Sequence, residues 1–392
     1  TEAPPPTKEQ LQRRLDELTK ARADLTASIQ TTMIMRDRDE VRPTYVLRRG
    51  QYDQPDTAEE LHPQIPAVFG SLGNEQPVNR LGLARWLVDP GNPLTARVLV
   101  NRLWQQMFGT GLVATADNFG VQGDSPSHPE LLDWLAVEFV ESGWDTKAML
   151  RQIALSATYR QSATSSTELR ERDPSNRLLA RGPRRRLSAE MIRDNALSVA
   201  GLRSEKIGGP SVKPYQPDGL WDELAGGANG GPYVLSEGED LYRRSLYTFR
   251  KRTVSHPTLA TFDAPSWEIC QAKRGTTNTP LQSLALLNDT TYAEAAAHLA
   301  MRMQEAAPEN VAKGIAKGFL LATSRRPHEA ETEALLSGYD DYLAYYSENP
   351  GDASALLAHG GAPVAEDRCS PELAALAAVA AVILNLDETL SR

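Results

Sequence analysis

The feature that most constrains the fold is a series of short apolar segments, each opened by a helix-capping residue and closed by glycine or proline. Asn79 precedes RLGLARWLVDP, Asn92 opens a segment that ends at Gly109, and Asp145 precedes TKAMLRQIALSATYR. Apolar residues recur within these segments every three or four positions, the period of a helix with one buried face. We therefore predict a mainly α fold, with a multi-helix domain over residues 79–392.

Three capping boxes strengthen this interpretation, because each pairs a Ser or Thr with Glu or Gln three residues later. They lie at 7–10, 127–130 and 279–282. The first opens an amphipathic lead helix within residues 1–30. We expect that helix to pack on its own chain or on an upstream domain.

The remaining segments are less regular. Residues 31–78 read as an extended connector containing a short run with strand preference, Thr44 to Leu47. A sub-boundary is possible near 165–180. Eight glycines and four prolines within 206–240 predict a long Gly/Pro-rich loop, either ordered and functional or mobile. The alternation that follows predicts a small β element around 241–250.

Composition narrows the class of protein. The 41% hydrophobic and 24% charged residues are ordinary for a globular chain, and a net charge of −9 makes nucleic acid an unlikely partner. Charge is uneven, with 15 Lys/Arg against 11 Asp/Glu in 181–274 and 7 against 14 in 300–392. The longest apolar run, 373–386, is too short to cross a bilayer and predicts a buried helix, so no membrane span is expected.

The cysteines and histidines do not form a recognisable metal or haem motif. Cys270 and Cys369 lie outside any Cys-X-X-Cys pattern, and they could form one disulfide or remain two separate buried thiols. The six histidines include no helical pair four residues apart and no HEXXH. We predict no metal site and no cofactor in this chain. The common phosphate-loop, dinucleotide and serine-hydrolase signatures are also missing.

One stretch, TFDAPSWEICQAKRGTTNTPLQSLALLND at 261–289, carries candidate chemistry. Its TNTPLQ portion is explained by helix initiation alone. The portion before it combines Asp263, Cys270 and Arg274, and His256 precedes it by a few residues. A cysteine beside cations can be reactive, and a His–Asp pair can perform acid–base chemistry. These four residues are the catalytic candidates.

Two arginine clusters provide candidate substrate-binding residues. They are Arg184, Arg185 and Arg186 in the first cluster, and Arg243, Arg244, Arg250 and Arg252 in the second. Guanidinium groups bind sulfate and carboxylate through two hydrogen bonds. One interpretation is a groove for anionic polysaccharide. The alternative is internal pairing with the acidic C-terminal half.

Long runs of the chain resemble one known family. They are NRLGLARWLVDPGNPLTARVLVNRLWQQMFGTGLV, GVQGDSPSHPELLDWLAVEF, the 262–289 stretch and the terminal LNLDETL. Together they resemble the C-terminal domain of unknown function, of the 1553 type, in exported cytochrome c-linked planctomycete proteins. The resemblance covers about Thr32 to Arg392. It implies an exported location, periplasmic or at the cell surface, and upstream domains of the same precursor, one of which could carry haem.

The start Thr1-Glu2-Ala3, without Met, agrees with a piece of a longer precursor. The family has no established activity that would supply catalytic residues. We expect an accessory or substrate-binding domain that binds anionic polysaccharide. One alternative is a catalytic domain, a carbohydrate-directed oxidoreductase or hydrolase with its site near 256–274. The other is a structural or assembly domain.

Overall fold

The structure, a computed structural model, describes residues 7–29, 31–38, 40–72, 77–221 and 232–391. The described residues form 15 α-helices and one two-stranded sheet. The predicted class, mainly α with a small β element, is confirmed. The chain divides into two compact units, residues 1–89 and 90–392. The predicted domain boundaries stay predictions.

The described residues of the first unit form two α-helices. Helix α1 spans Lys8–Ser28 and begins at Thr7 with the predicted capping box. Helix α2 spans Arg80–Leu87, and the side chain of Asn79 accepts hydrogen bonds from its first-turn amides, as predicted. Helix α1 buries none of its residues. The large apolar side chains of α1 and of its C-cap residue are exposed, and they are Leu11, Leu15, Leu18, Leu25 and Ile29. The expected packing of α1 is therefore not found within the described part of this unit.

The same unit holds the sheet. Strands β1, Thr44–Leu47, and β2, Pro55–Leu61, pair antiparallel, with an irregularity between Tyr45 and Val46. Strand β1 coincides with the run whose strand preference is visible in the sequence. The small β element therefore lies in the segment predicted as an extended connector.

The second unit begins with a three-helix cluster. Helices α3, Thr95–Phe108, α4, Pro129–Glu141, and α5, Thr146–Leu155, share a core that includes Trp104 and Phe139. The predicted Asp145 cap of α5 is present. The capping box at 127–130 is wrong, because the hydroxyl of Ser127 lies 3.0 Å from Nδ1 of the adjacent His128 ring instead.

A larger core is built around α10, Thr290–Ala306. Helices α7, Ala189–Ala200, α11, Val311–Thr323, and α14, Pro371–Leu384, pack against it. Helix α14 contains the longest apolar run of the sequence, and its burial confirms the prediction. The other helices are α6 Thr167–Arg172, α8 Pro257–Thr261, α9 Pro280–Asn288, α12 Glu329–Glu348, α13 Pro350–Leu357 and α15 Asp387–Leu390. No described helix combines the length and apolar character needed to cross a membrane.

One carboxylate inside this core joins segments that are distant in sequence. Glu294 on α10 is fully buried. It accepts hydrogen bonds from the hydroxyl of Tyr242 (2.7 Å), the hydroxyl of Tyr215 (3.1 Å) and the amide of Ala362 (2.8 Å). Burial and the bond to Glu294 raise the pKa of Tyr242. A buried polar group requires such partners, so these contacts hold three segments on α10.

The prediction of a β element around 241–250 is wrong. The segment forms short 3₁₀ turns at Gly238–Tyr242 and Ser245–Tyr247, with isolated bridges to Ser204 and Val212. The buried guanidinium of Arg193 accounts for this, because it donates to the carbonyls of Leu241 and Arg243. Those carbonyls are consequently not available to a neighbouring strand. Residues 222–231 of the predicted 206–240 loop lie outside the described residues.

Candidate functional site

A large cleft lies in the second unit and has a volume of about 1140 Å³. Its walls come from the end of α3, the segment that leads into α7, the first turns of α7, and the loops 244–250 and 262–276. The cleft therefore brings together the two arginine clusters and the stretch that carries candidate chemistry.

The lining is strongly cationic. Nine of the described lining residues are Lys or Arg, and three are carboxylates, which leaves an excess of six positive charges. The cations are Arg170, Arg181, Arg184, Arg185, Arg186, Arg244, Arg250, Lys273 and Arg274. A concave surface lined by charges of one sign concentrates ions of the opposite sign.

Some predicted substrate-binding arginines already have acidic partners. Arg184 pairs with Asp387, and Arg244 lies 3.8 Å from a carboxylate oxygen of Asp194. These two guanidinium groups are at least half exposed, and exposed ion pairs contribute little to stability. Each could exchange its partner for another anion at small cost.

Arg185 and Arg186 form no ion pair with any carboxylate in the described ranges. Burial lowers the pKa of Arg185, because its guanidinium is partly removed from water without a compensating anion. Arg186 reaches only the side-chain oxygen of Asn278, at 3.4 Å, and its Nε is buried without a partner. These neighbouring guanidinium groups therefore line the cleft without an acidic partner among the described residues.

Glu190, in the first turn of α7, connects two sides of the cleft. Its carboxylate accepts from Arg250 at 3.0 Å and from Arg274 at 2.7 Å. Burial raises the pKa of Glu190, but the hydrogen bond from Arg274 and the nearby positive charges outweigh that effect and leave the pKa below its ordinary value. Glu190 thus stays ionised and holds both arginines in place.

Two catalytic candidates, Asp263 and Arg274, do line the cleft. Arg274 is held by Glu190. Asp263 accepts from the amide and hydroxyl of Thr277, at 2.7 and 2.9 Å. Thr277 in turn accepts from Gln282, which also donates to the carbonyl of Thr261. The predicted capping box at 279–282 is therefore wrong, because Gln282 turns inward and fastens the loop.

The other two catalytic candidates lie elsewhere. The Nε2 atom of His256 is 2.9 Å from the carbonyl oxygen of Tyr215, and the ring lines a separate, small cavity. Burial, with the positive charge of Arg193, lowers the pKa of His256 to about 4. Cys270 is an exposed free thiol, and Cys369 is a partly buried one. No disulfide joins them, and Cys270 is not buried as the alternative assumed.

Two of the predicted substrate-binding residues, Arg243 and Arg252, do not line the cleft. Arg243 is buried, donates to the carbonyls of Gly208 and Pro210, and lies against the ring of Tyr247. It anchors the described start of the Gly/Pro-rich loop and does not reach the cleft. Arg252 is exposed but lies outside the cleft wall.

The sequence did not identify several residues of the cleft. Arg181 belongs to the same arginine run and could have been included on that basis. Lys273 and Trp267 lie in the 261–289 stretch, but nothing in their spacing distinguishes them. Glu190 carries no signal beyond its position in the first turn of a helix, and its two partners lie 60 and 84 residues away.

The fold and the cleft together define a mainly α-helical domain with an arginine-lined cleft. Residues 79–339 match the family described as PSD1, protein of unknown function (DUF1553), and the chain belongs to this family. The predicted family resemblance is thereby confirmed. Comparisons with curated proteins and with solved structures gave no match.

Proposed function

We propose that the cleft binds an anionic polysaccharide, and that the chain is an accessory or substrate-binding domain of an exported, cytochrome-linked protein. One observation carries the proposal: the cleft has nine cations against three carboxylates, and Arg185 and Arg186 have no acidic partner among the described residues. A sulfate or carboxylate group would supply that partner with two parallel hydrogen bonds.

The dimensions of the cleft favour a chain-like ligand. Its volume of about 1140 Å³ exceeds that of most small-molecule pockets, and its cations come from several separate segments of the chain. A polysaccharide with repeated acidic groups could contact several cations in succession, whereas a single small anion could contact only a few. The exported location and the link to a cytochrome rest on the sequence resemblance.

The catalytic alternative gains no support from the described geometry. Acid–base chemistry requires its groups within hydrogen-bond reach of one substrate. His256 donates to a carbonyl beside a separate cavity, while Asp263 is engaged by Thr277 in the cleft. The binding function therefore needs fewer rearrangements than catalysis by these residues.

The test is affinity electrophoresis and titration with sulfated and uronate polysaccharides at several salt concentrations. Replacing Arg185 and Arg186 together by alanine should weaken binding about tenfold or more and reduce its salt dependence, since two ionic contacts are lost. Arg252→Ala is the matched control, because Arg252 is exposed but lies outside the cleft.

Thermal unfolding of each variant separates lost binding from lost folding. The proposal would be refuted if the unmodified protein bound none of these polymers. It would also be refuted if the double variant stayed folded and bound as tightly as the unmodified protein.

A further inference from the structure

Trp267 is an exposed aromatic residue at the edge of the cleft. Half of its surface is accessible, and the residue lines both the large cleft and the small cavity beside His256. The other described aromatic residues of the cleft wall, Phe108 and Phe262, are partly or fully buried. Trp267 is therefore the aromatic surface that a ligand in the cleft would meet.

One face of the indole is already occupied by a cation. The guanidinium carbon of Arg250 lies 4.6 Å from the ring centroid, and Arg250 is itself held by Glu190 at 3.0 Å. This stacking fixes the ring through a cation–π contact and a salt bridge. The remaining exposed surface of the ring faces solvent.

The backbone at Trp267 is strained. Its φ of 67° lies in the left-handed region, which a bulky residue rarely adopts, and Asp263 of the same loop has a φ of 63°. Such conformations cost about 1–3 kcal/mol and persist where surrounding contacts hold them. Here the hydrogen bonds from Thr277 to Asp263 hold the loop, and the result is an exposed ring in a fixed position.

We propose that Trp267 is a sugar-stacking residue, which makes the cleft select acidic saccharides over other polyanions. The apolar face of a pyranose ring can lie flat on the indole while Arg185, Arg186 and Lys273 contact its acidic groups. This inference rests on the proposed function and names its ligand more narrowly. A single exposed aromatic residue among the described residues of the cleft wall favours a saccharide over single-stranded nucleic acid, which needs successive stacking surfaces.

Calorimetric titration with three probes tests the proposal: a chondroitin sulfate hexasaccharide, inorganic polyphosphate and an oligothymidylate. Trp267→Ala should weaken hexasaccharide binding about tenfold or more, the magnitude of one lost stacking contact, and change polyphosphate binding less than about twofold. Trp267→Phe should recover most of the affinity. Ile269→Ala, at an exposed site of the same loop outside the cleft wall, is the matched control.

Several results would overturn this inference. One is an unchanged hexasaccharide affinity in Trp267→Ala, and another is an equal loss for hexasaccharide and polyphosphate. Tighter binding of oligothymidylate than of hexasaccharide to the unmodified protein would assign the ring to bases instead. The proposed function fails separately, when the Arg185 and Arg186 double variant binds every probe as the unmodified protein does.

Discussion

His256 should make the folded protein sensitive to acid. Its Nε2 lies 2.9 Å from the carbonyl oxygen of Tyr215, and a carbonyl can only accept, so Nε2 carries the hydrogen of the neutral ring. The other nitrogen, Nδ1, is buried without a partner. Protonation would therefore place an unpaired N–H and a positive charge near Arg193, and burial with that charge lowers the pKa to about 4.

The stability lost on acidification follows from the difference between the pKa values of His256 in the folded and unfolded chain. An unfolded histidine has a pKa of about 6.5, so between pH 6.5 and pH 4 the unfolded chain binds more protons than the folded one. The contribution of His256 to stability is complete above about pH 6.5 and is lost as the pH falls. The loss is about 2 kcal/mol at pH 5 and about 3 kcal/mol at pH 4.

The assay is urea denaturation at pH 7.5 and pH 5.0 of the unmodified protein and His256→Gln. Glutamine can donate the same hydrogen bond and cannot be protonated. Between the two pH values, the unmodified protein should lose about 2 kcal/mol more than the variant. The difference between the two proteins at pH 7.5 measures the cost of the substitution itself. The reasoning is refuted if both proteins lose the same stability on acidification.

Substitutions at Glu294 and at Gly360 beside it should destabilise the core around α10. Glu294→Gln replaces one acceptor oxygen by an amide group that only donates, so the urea-derived unfolding free energy should fall by about 2 kcal/mol. Glu309→Gln, at an exposed site, should leave it within about 0.5 kcal/mol. Gly360 has a φ of +88°, and a Cβ there would meet the Glu294 carboxylate, so Gly360→Ala should cost about 2 kcal/mol or more. A Cβ at Gly351, in helix α13, would meet no neighbouring atom, so Gly351→Ala should leave stability unchanged or raise it. Equal stability losses for Gly360→Ala and Gly351→Ala would contradict this argument.

Local sequence signals predicted the helices well where the cap faces solvent. Thr7, Asn79 and Asp145 are such cases, because the acceptor and the amides it caps lie within one turn. The capping boxes at 127–130 and 279–282 failed where tertiary contacts competed. Gln282 is fully buried, and its amide finds the carbonyl of Thr261, 21 residues earlier.

The sequence likewise predicted the parts of the candidate site that depend on local order along the chain, and missed those that depend on tertiary contacts. The run of arginines at 184–186 does line the cleft, because these residues lead directly into α7. The partners that decide which arginines stay available cannot be read from spacing, since Asp387 follows Arg184 by 203 residues. Arg243 shows the limit most clearly: alternating basic residues suggest a surface strand, yet its guanidinium is buried on backbone carbonyls.

The burial of α14 against α10 has a practical consequence for expression. The family match ends at residue 339, before the start of α14 at Pro371. A chain truncated at that boundary would leave the alanine-rich surface of α10 open to water. This surface includes the apolar residues Leu299 and Met303. We expect such a truncated protein to aggregate, so the stable folding unit must include the residues through α14.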